Sequence, residues 1–252
     1  MWPLIPYIRY IGSRIVVKRM RLVSKKLPSY KGKLSFSQIA EGMTAASENA
    51  ARLAQDAKLL LEARRLPTAS SLAALSIEES GKVSILRAMS LARDDNELKE
   101  EWKRYRSHTN KNVQWIFPQL VAEGARRLDD LRPLFDKNAE HPYLLDQVKQ
   151  LGFYTDCLGN KGHWSIPDEA IDGELAEQLV STAELLSSAS PTSEREIELW
   201  VEHVGPVWKK DLNWMKRAVA NWYEAMQREG LKPEGENGME NFLHGGVNPE
   251  DV

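Results

Sequence analysis

Residues 69–112, ASSLAALSIEESGKVSILRAMSLARDDNELKEEWKRYRSHTNKN, decide the fold. The first part is rich in alanine, serine and leucine at helical spacing, and the break Asp94-Asp95-Asn96 separates it from a second helical segment. The spacing predicts one helix over about 68–92 and another from an N-cap at Asn96 to about Phe117, where Pro118 ends or kinks it. Two adjacent carboxylates, Glu78 and Glu79, sit inside the apolar pattern of the first helix, where an unpaired charge is costly. Leu72, Leu75, Glu79 and Leu86 share one stripe, so Glu79 is the residue that interrupts apolar surface. Glu78 stands four residues before Lys82, in the favourable order for a helix-stabilising pair. A buried Glu79 would need a basic partner from the following helix. Gly81 in mid-helix costs about 1 kcal/mol relative to alanine, which points to close helix approach there.

On a continuous helix from 96 to 117, Leu98, Trp102, Tyr105, Thr109, Val113 and Ile116 form the inward stripe. Arg104, His108, Lys111 and Trp115 then gather on another face, within roughly 60° of one another, and Arg106 points elsewhere. Such a face suits phosphate binding by Arg104 and Lys111, acid–base work by His108 and base stacking by Trp115. A solvated basic face and a buried interhelical salt bridge explain the same residues without chemistry, and spacing alone leaves both open.

Outward from this stretch the pattern stays helical. Phe36, Ile39, Met43, Ala46, Ala50, Leu53, Ala57 and Leu60 step by three and four and predict a helix from Ser35 or Ser37 to Arg65. An irregular zone marked by Pro133, Pro142, Gly152, Gly159, Gly162 and Pro167 holds a short helix from Tyr143 to Tyr154. Helices follow at 167–188, 193–203 and 206–229, the last with Trp208, Leu212, Met215, Val219, Trp222 and Met226 as its apolar stripe. No strand alternation persists, so the expected class is all-α. Residues 1–34 read as a basic arm, 35–190 as the main helical domain, 191–229 as tryptophan-rich C-terminal helices and 230–252 as a disordered tail.

Nine basic residues and no acidic one precede Glu41, so the net charge of −2 divides into +9 for residues 1–40 and −11 for the remainder. Arg9 and Arg14 interrupt every apolar run of the head, which does not read as a Sec signal. Contact of residues 1–33 with anionic lipid or nucleic acid is one reading. A poorly ordered extension, or a native start at Met20, is the preferred one. The lone Cys157 excludes an internal disulfide and fits a reducing cytoplasm. His141, His163, His203 and His244 lack metal-ligand spacing, and there is neither a P-loop nor a dinucleotide fingerprint. No metal and no cofactor are expected.

Asn49, Leu53, Asp56-Ala57 and Leu59-Leu60, then Ala69, Leu72-Ala73 and Ile77-Glu78-Glu79-Ser80-Gly81-Lys82, resemble the AbiV family of abortive infection proteins. His108-Thr109-Asn110-Lys111-Asn112 resembles its His-x-x-Lys segment. Tyr154-Thr155-Asp156 with Gly162-His163-Trp164-Ser165-Ile166-Pro167 resembles its downstream aromatic-Asp and Gly-x-Trp-x-x-Pro segment. The resemblance covers about 37–188 and implies a HEPN-like helical bundle in a cytoplasmic anti-phage protein that shuts down translation, with a phage-encoded trigger. Many HEPN proteins are metal-independent RNases using Arg-x4–6-His across a homodimer. This chain departs from that spacing: only three residues separate Arg104 from His108, and Lys103 holds the strict x4 place. Taken with the face read from helical spacing, the resemblance makes His108 and Arg104 the expected catalytic residues and Lys111, Asn112 and Trp115 the expected RNA contacts. Glu78, Glu79, Lys82 and Asp156 would be orienting or structural residues. The alternative is a non-catalytic helical protein that blocks the translation machinery or serves as a scaffold.

Overall fold

The structure is a computed structural model that describes residues 7–11, 14–18, 28–136, 138–188 and 190–245, the first two segments through their backbone pairing. The chain forms two units, residues 1–32 and 33–252. In the first, β1 (Tyr7–Ile11) pairs antiparallel with β2 (Arg14–Lys18), Ile11 lying opposite Arg14. A strand was not expected here. The intervening Gly12-Ser13 is one of the dipeptides that favour two-residue hairpins. The rest of the predicted arm, at 1–6 and 19–27, lies outside the described residues.

The second unit is built on a helical hairpin. Helix α1 (Phe36–Glu62) starts at a capping box in which Ser35 accepts from the Gln38 amide and the Gln38 side chain accepts from the Ser35 amide. It ends where Arg64 takes a positive φ of 59° and the Arg65 amide reaches back to the Leu60 carbonyl, a left-handed cap that turns the chain sharply. Helix α2 (Leu66–Met89) follows with Pro67 in its first turn. Small residues bury most of its circumference: Ala69, Ser70, Ala73, Ala74, Ser76 and Gly81 all lie in the interior. That makes α2 the central helix, because small side chains allow neighbours to approach on several sides.

The remaining helices pack around it. They are α3 (Asp95–Arg106), α4 (His108–Lys111), α5 (Phe117–Ala122) and α6 (His141–Phe153), with 3-10 turns at Val113–Ile116 and Leu128–Phe135. A short hairpin of β3 (Asp156–Leu158) and β4 (His163–Ser165) leads to α7 (Pro167–Ala170) and α8 (Gly173–Leu186). One core cluster joins Ala54 and Ala57 of α1, Ala73 and Ile77 of α2, Leu145 of α6, and Leu179 and Ala183 of α8. A second joins Met43, Leu86, Met89, Leu98, Trp102 and Ile197.

The C-terminal helices α9 (Glu194–Val204) and α10 (Leu212–Arg228) form a third cluster around Leu199, Trp222 and Met226, with Trp200 edge-on to Trp222. Of the expected stripe, Trp222 and Met226 are core and Trp208 and Val219 pack against them, whereas Leu212 is 47% exposed; Trp214, outside the stripe, is 59% exposed. Residues 231–245 correct the expectation of a tail at their end of it. They carry α11 (Gly238–Glu240) and a π turn at Asn241–Gly245, with Leu243 buried and Phe242 packed on a cluster containing Leu131 and Leu134. Among the described residues no helix is long and apolar enough to cross a membrane.

Candidate functional site

The expected continuous helix over 96–117 does not form. Asp94, rather than Asn96, caps α3 by accepting from the Asn96 and Glu97 amides. The helix stops at Ser107, whose backbone is extended and whose hydroxyl accepts from the Asn110 amide at 3.3 Å. A serine that caps a new helix competes with continuation of the old one. The break dissolves the predicted face of Arg104, His108, Lys111 and Trp115 and redirects α4, so that His108 and Lys111, one at each end of it, turn to α2.

Glycine makes this approach possible. A Cβ at Gly81 would lie 2.1 Å from the Lys111 carbonyl oxygen, so α4 rests on the α2 backbone where only glycine fits. Helix α6 is seated similarly: a Cβ at Gly152 would lie 2.3 Å from Ser71 Oγ, and the Ser71 hydroxyl donates to the Lys149 carbonyl at 3.1 Å. Fully buried Asn112 donates to the Pro142 carbonyl at 3.3 Å, and the Trp115 indole donates to the His141 carbonyl at 2.8 Å. These bonds lock the segment after α4 to the start of α6. Asn112 and Trp115 thus sit in the fold as spacers, and Trp115 packs against the main core instead of standing out as a stacking platform.

The three helices converge on Glu78. Its side chain is 4% exposed and meets His108 Nδ1 at 2.7 Å and Lys111 Nζ at 3.4 Å through Oε2, and Lys149 Nζ at 2.5 Å through Oε1. Lys149 also donates to Asp146 at 2.6 Å. Burial on its own would raise the Glu78 carboxyl pKa. Hydrogen bonds from Lys149 and His108 and the charges of Lys149 and Lys111 outweigh it and hold the carboxyl below its ordinary value. Burial likewise works to lower the Lys149 ammonium, but bonds to Asp146 and Glu78 prevail and raise it. Both ions are therefore charged at neutral pH.

His108 is the member of the cluster that faces solvent, with 57% of its side chain exposed. Lys149 Nζ stands 3.3 Å from His108 Nδ1, farther than Glu78 Oε2 at 2.7 Å. One ring nitrogen cannot donate and accept at once, so the shorter contact assigns the proton to Nδ1, donated to Glu78. That tautomer leaves Nε2 as the basic nitrogen. A buried carboxylate behind an exposed imidazole is the arrangement that orients a histidine for proton transfer.

The other expected pairings change partners. Lys82 bonds Glu79 at 2.5 Å, three residues back, and the expected Glu78–Lys82 pair gives way to it. Glu78, not Glu79, is the buried carboxylate in need of cations. Arg104 is paired with Glu101 at 2.8 Å and its side chain is 43% exposed. Lys111 is buried against Glu78 and cannot hold a phosphate without leaving it. Asp156 is exposed on β3 and accepts from the Cys157 amide at 2.7 Å. It lines an open cleft of about 690 Å³ with Asp146, Gln147, Gln150 and Leu151 of α6 and with Tyr154, just past its end. Asp146 belongs to both the cleft and the Glu78 cluster, and so connects them. Lys149 and Asp146 were not singled out in the sequence. Their signal is the buried α6 stripe Leu145, Lys149 and Gly152, where a lysine interrupts an otherwise apolar or small face.

The sequence model of the HEPN_AbiV family, described as AbiV, matches residues 38–188, from α1 through α8. Neither the curated proteins nor the solved structures contain a match. The matched segment is more than half of the chain and holds every residue of the Glu78 cluster, and the chain belongs to the AbiV family of HEPN-type abortive-infection proteins.

Proposed function

We propose that this protein arrests phage-infected cells by shutting down translation, and that it does so by cleaving RNA at His108. One observation carries the reading: His108 is exposed while its Nδ1 is held at 2.7 Å by a carboxylate that is 4% exposed. Nε2 would take the proton of a ribose 2′-hydroxyl as that oxygen attacks the adjacent phosphorus. The 5′ oxygen leaves and takes a proton from water, giving a 2′,3′-cyclic phosphate. Because the nucleophile is part of the substrate, the reaction requires no metal-bound water. Arg104 would leave Glu101 to hold the phosphate, a role closed to Lys111. Action on the translation machinery places the protein in the cytoplasm, a phage-encoded protein is its trigger, and a homodimer is its working form.

A specific observation favours a second reading, in which the protein binds the translation machinery without cleaving RNA. Lys111 and Lys149 are already neutralised by Glu78 and Asp146, and the neighbouring cleft carries two aspartates, a poor electrostatic match for a polyanion. Purified wild type and His108→Ala, incubated with total RNA and then with a translation mixture, separate the two. Removal of a general acid–base is expected to slow cleavage about 10²–10⁴-fold. Translation block with intact RNA in both proteins would establish the binding reading and end the enzymatic one.

A further inference from the structure

We infer that Lys149 is the built-in cation of a three-ligand site formed by Glu78, His108 and Asp146, standing where a divalent metal would otherwise sit. A carboxylate oxygen of Glu78, a ring nitrogen of His108 and a carboxylate oxygen of Asp146 lie within 4.8 Å of one another. Two carboxylates and one imidazole are a donor set for ions such as Zn²⁺ or Mn²⁺. The Lys149 ammonium lies among these three groups, at 2.5 Å from Glu78, 2.6 Å from Asp146 and 3.3 Å from His108.

Two features make the ammonium the resident. It is tethered through α6, whose backbone is pinned to α2 by the bond from Ser71 and the close approach at Gly152, so a free ion competes against an intramolecular ligand. The lysine is 4% exposed, so its withdrawal would leave the buried Glu78 carboxylate and the half-buried Asp146 without their main countercharge. The consequence for Glu78 is geometric. With Oε1 bound to Lys149, Oε2 is left for His108 and Lys111, and rotation of the carboxylate is blocked. This occupancy does not depend on RNA being the substrate, so its test is separate from the cleavage assay.

The test is Zn²⁺ titration of the full chain, read by metal stoichiometry and by thermal unfolding. Wild type is expected to bind no Zn²⁺ at this site and to show no shift in Tm. Lys149→Ala is expected to bind one Zn²⁺ per chain, with Tm rising about 5 °C or more at saturating metal. The double variant Lys149→Ala/His108→Ala is expected to lose that site, which separates it from adventitious surface binding. Lys149→Gln, which retains an N–H donor toward the carboxylates, is run in parallel in case the alanine variant does not fold. Wild type binding one Zn²⁺ with a His108-dependent shift would overturn the inference, because the metal would then displace the lysine. Absence of a His108-dependent site in both Lys149 variants would also overturn it, because the three groups would not form a cation site.

Discussion

Lys149 and Arg87, two of the cations set into this protein, are accommodated by opposite means. Lys149 is surrounded by carboxylates, in contact with Glu78 and Asp146, and its pKa is raised. Arg87, on α2, lies beside the rings of Trp200 and Trp222, with its guanidinium carbon 5.7 and 5.3 Å from their centroids. Its Nε is buried without a hydrogen-bond partner among the described residues. Burial lowers the Arg87 pKa, and the Glu196 charge offsets this only in part. Arg87 belongs to the family-matched segment and both tryptophans lie beyond it, so this contact fastens the C-terminal helices to the bundle. The difference separates a network from a packing device. The Lys149 network has a solvent-facing member, His108, through which a proton can move. The Arg87 contact sets a guanidinium against two adjacent indole rings and includes no such member.

The largest effect is expected at the shared anion. Glu78→Gln leaves Lys111 without its charge partner and Lys149 with Asp146 alone, a loss of about 3–5 kcal/mol. Denaturant unfolding measures it, and pH supplies a second reading. The folded Glu78 pKa lies below the ordinary 4.5. Its contribution is therefore complete above about pH 4.5 and is lost as pH falls through the folded value. Lys149, raised above 10.5, contributes fully below that value and loses its contribution as pH rises through the folded one. Wild-type stability should decline at both extremes, and Glu78→Gln should flatten the acid limb. An unchanged acid limb would mean that Glu78 is not the group being titrated.

Replacing the two cations by methionine tests the contrast directly. Lys149→Met leaves Asp146 and Glu78 short of countercharge and should cost about 3 kcal/mol. Arg87→Met removes a charge that has no carboxylate in ion-pair contact, replacing it with an apolar chain among apolar rings. The lost cation–π attraction and the removed desolvation cost are of similar size, so stability should stay within about 1 kcal/mol of wild type. Equal losses from the two substitutions would erase the distinction.

Gly81→Ala comes next. The new Cβ would meet backbone atoms of Lys111 at 2.1, 2.8 and 2.9 Å, so α4 must shift as a body. A loss of about 1–3 kcal/mol is expected, together with reduced His108-dependent activity. Gly173→Ala, whose Cβ would meet nothing within 4 Å, serves as the control and should be neutral or slightly stabilising. Full retention of stability and activity in Gly81→Ala would show that the α2–α4 contact does not position the histidine.

The helical class and the C-terminal tryptophan core were legible because they rest on local periodicity and on bulk. Ser193 was also readable as a cap, and the start of α1 was narrowed to Ser35 or Ser37, of which Ser35 is the cap. The break at Ser107 was not legible: the apolar stripe continues through Val113 and Ile116, and only the competing cap ends the helix. The cluster was half legible. Gly81 and a carboxylate requiring a cation stood out, but the stripe was weighted toward leucines. On α2 the most buried face is instead alanine, serine and glycine, because neighbouring helices pack there at close range, while Leu72 and Leu75 are only partly buried. That shift of face exchanged the roles of Glu78 and Glu79. Lys149 was hidden because Glu78 and His108, which it joins, lie 71 and 41 residues away in sequence.

The smallest effect should come from the neighbour of the central carboxylate. Glu79 keeps 19% of its side chain exposed and bonds Lys82, which is equally exposed and lies 5.5 Å from the Tyr105 ring centroid. Glu79→Gln retains a hydrogen-bonding side chain, and Lys82 keeps both access to water and the aromatic face. A partly exposed pair three residues apart on one helix contributes about 0.2–1 kcal/mol, and the substitution should cost no more than that. His108-dependent activity should be unchanged, since Glu79 pairs with Lys82, whereas His108, Lys111 and Lys149 all pair with Glu78. A loss approaching that of Glu78→Gln would mean that the two carboxylates act as one network. His108 would then be coupled to Lys82 and Tyr105 as well as to Lys149, and the boundary drawn between the proton-handling cluster and the surface of α2 would have to move outward.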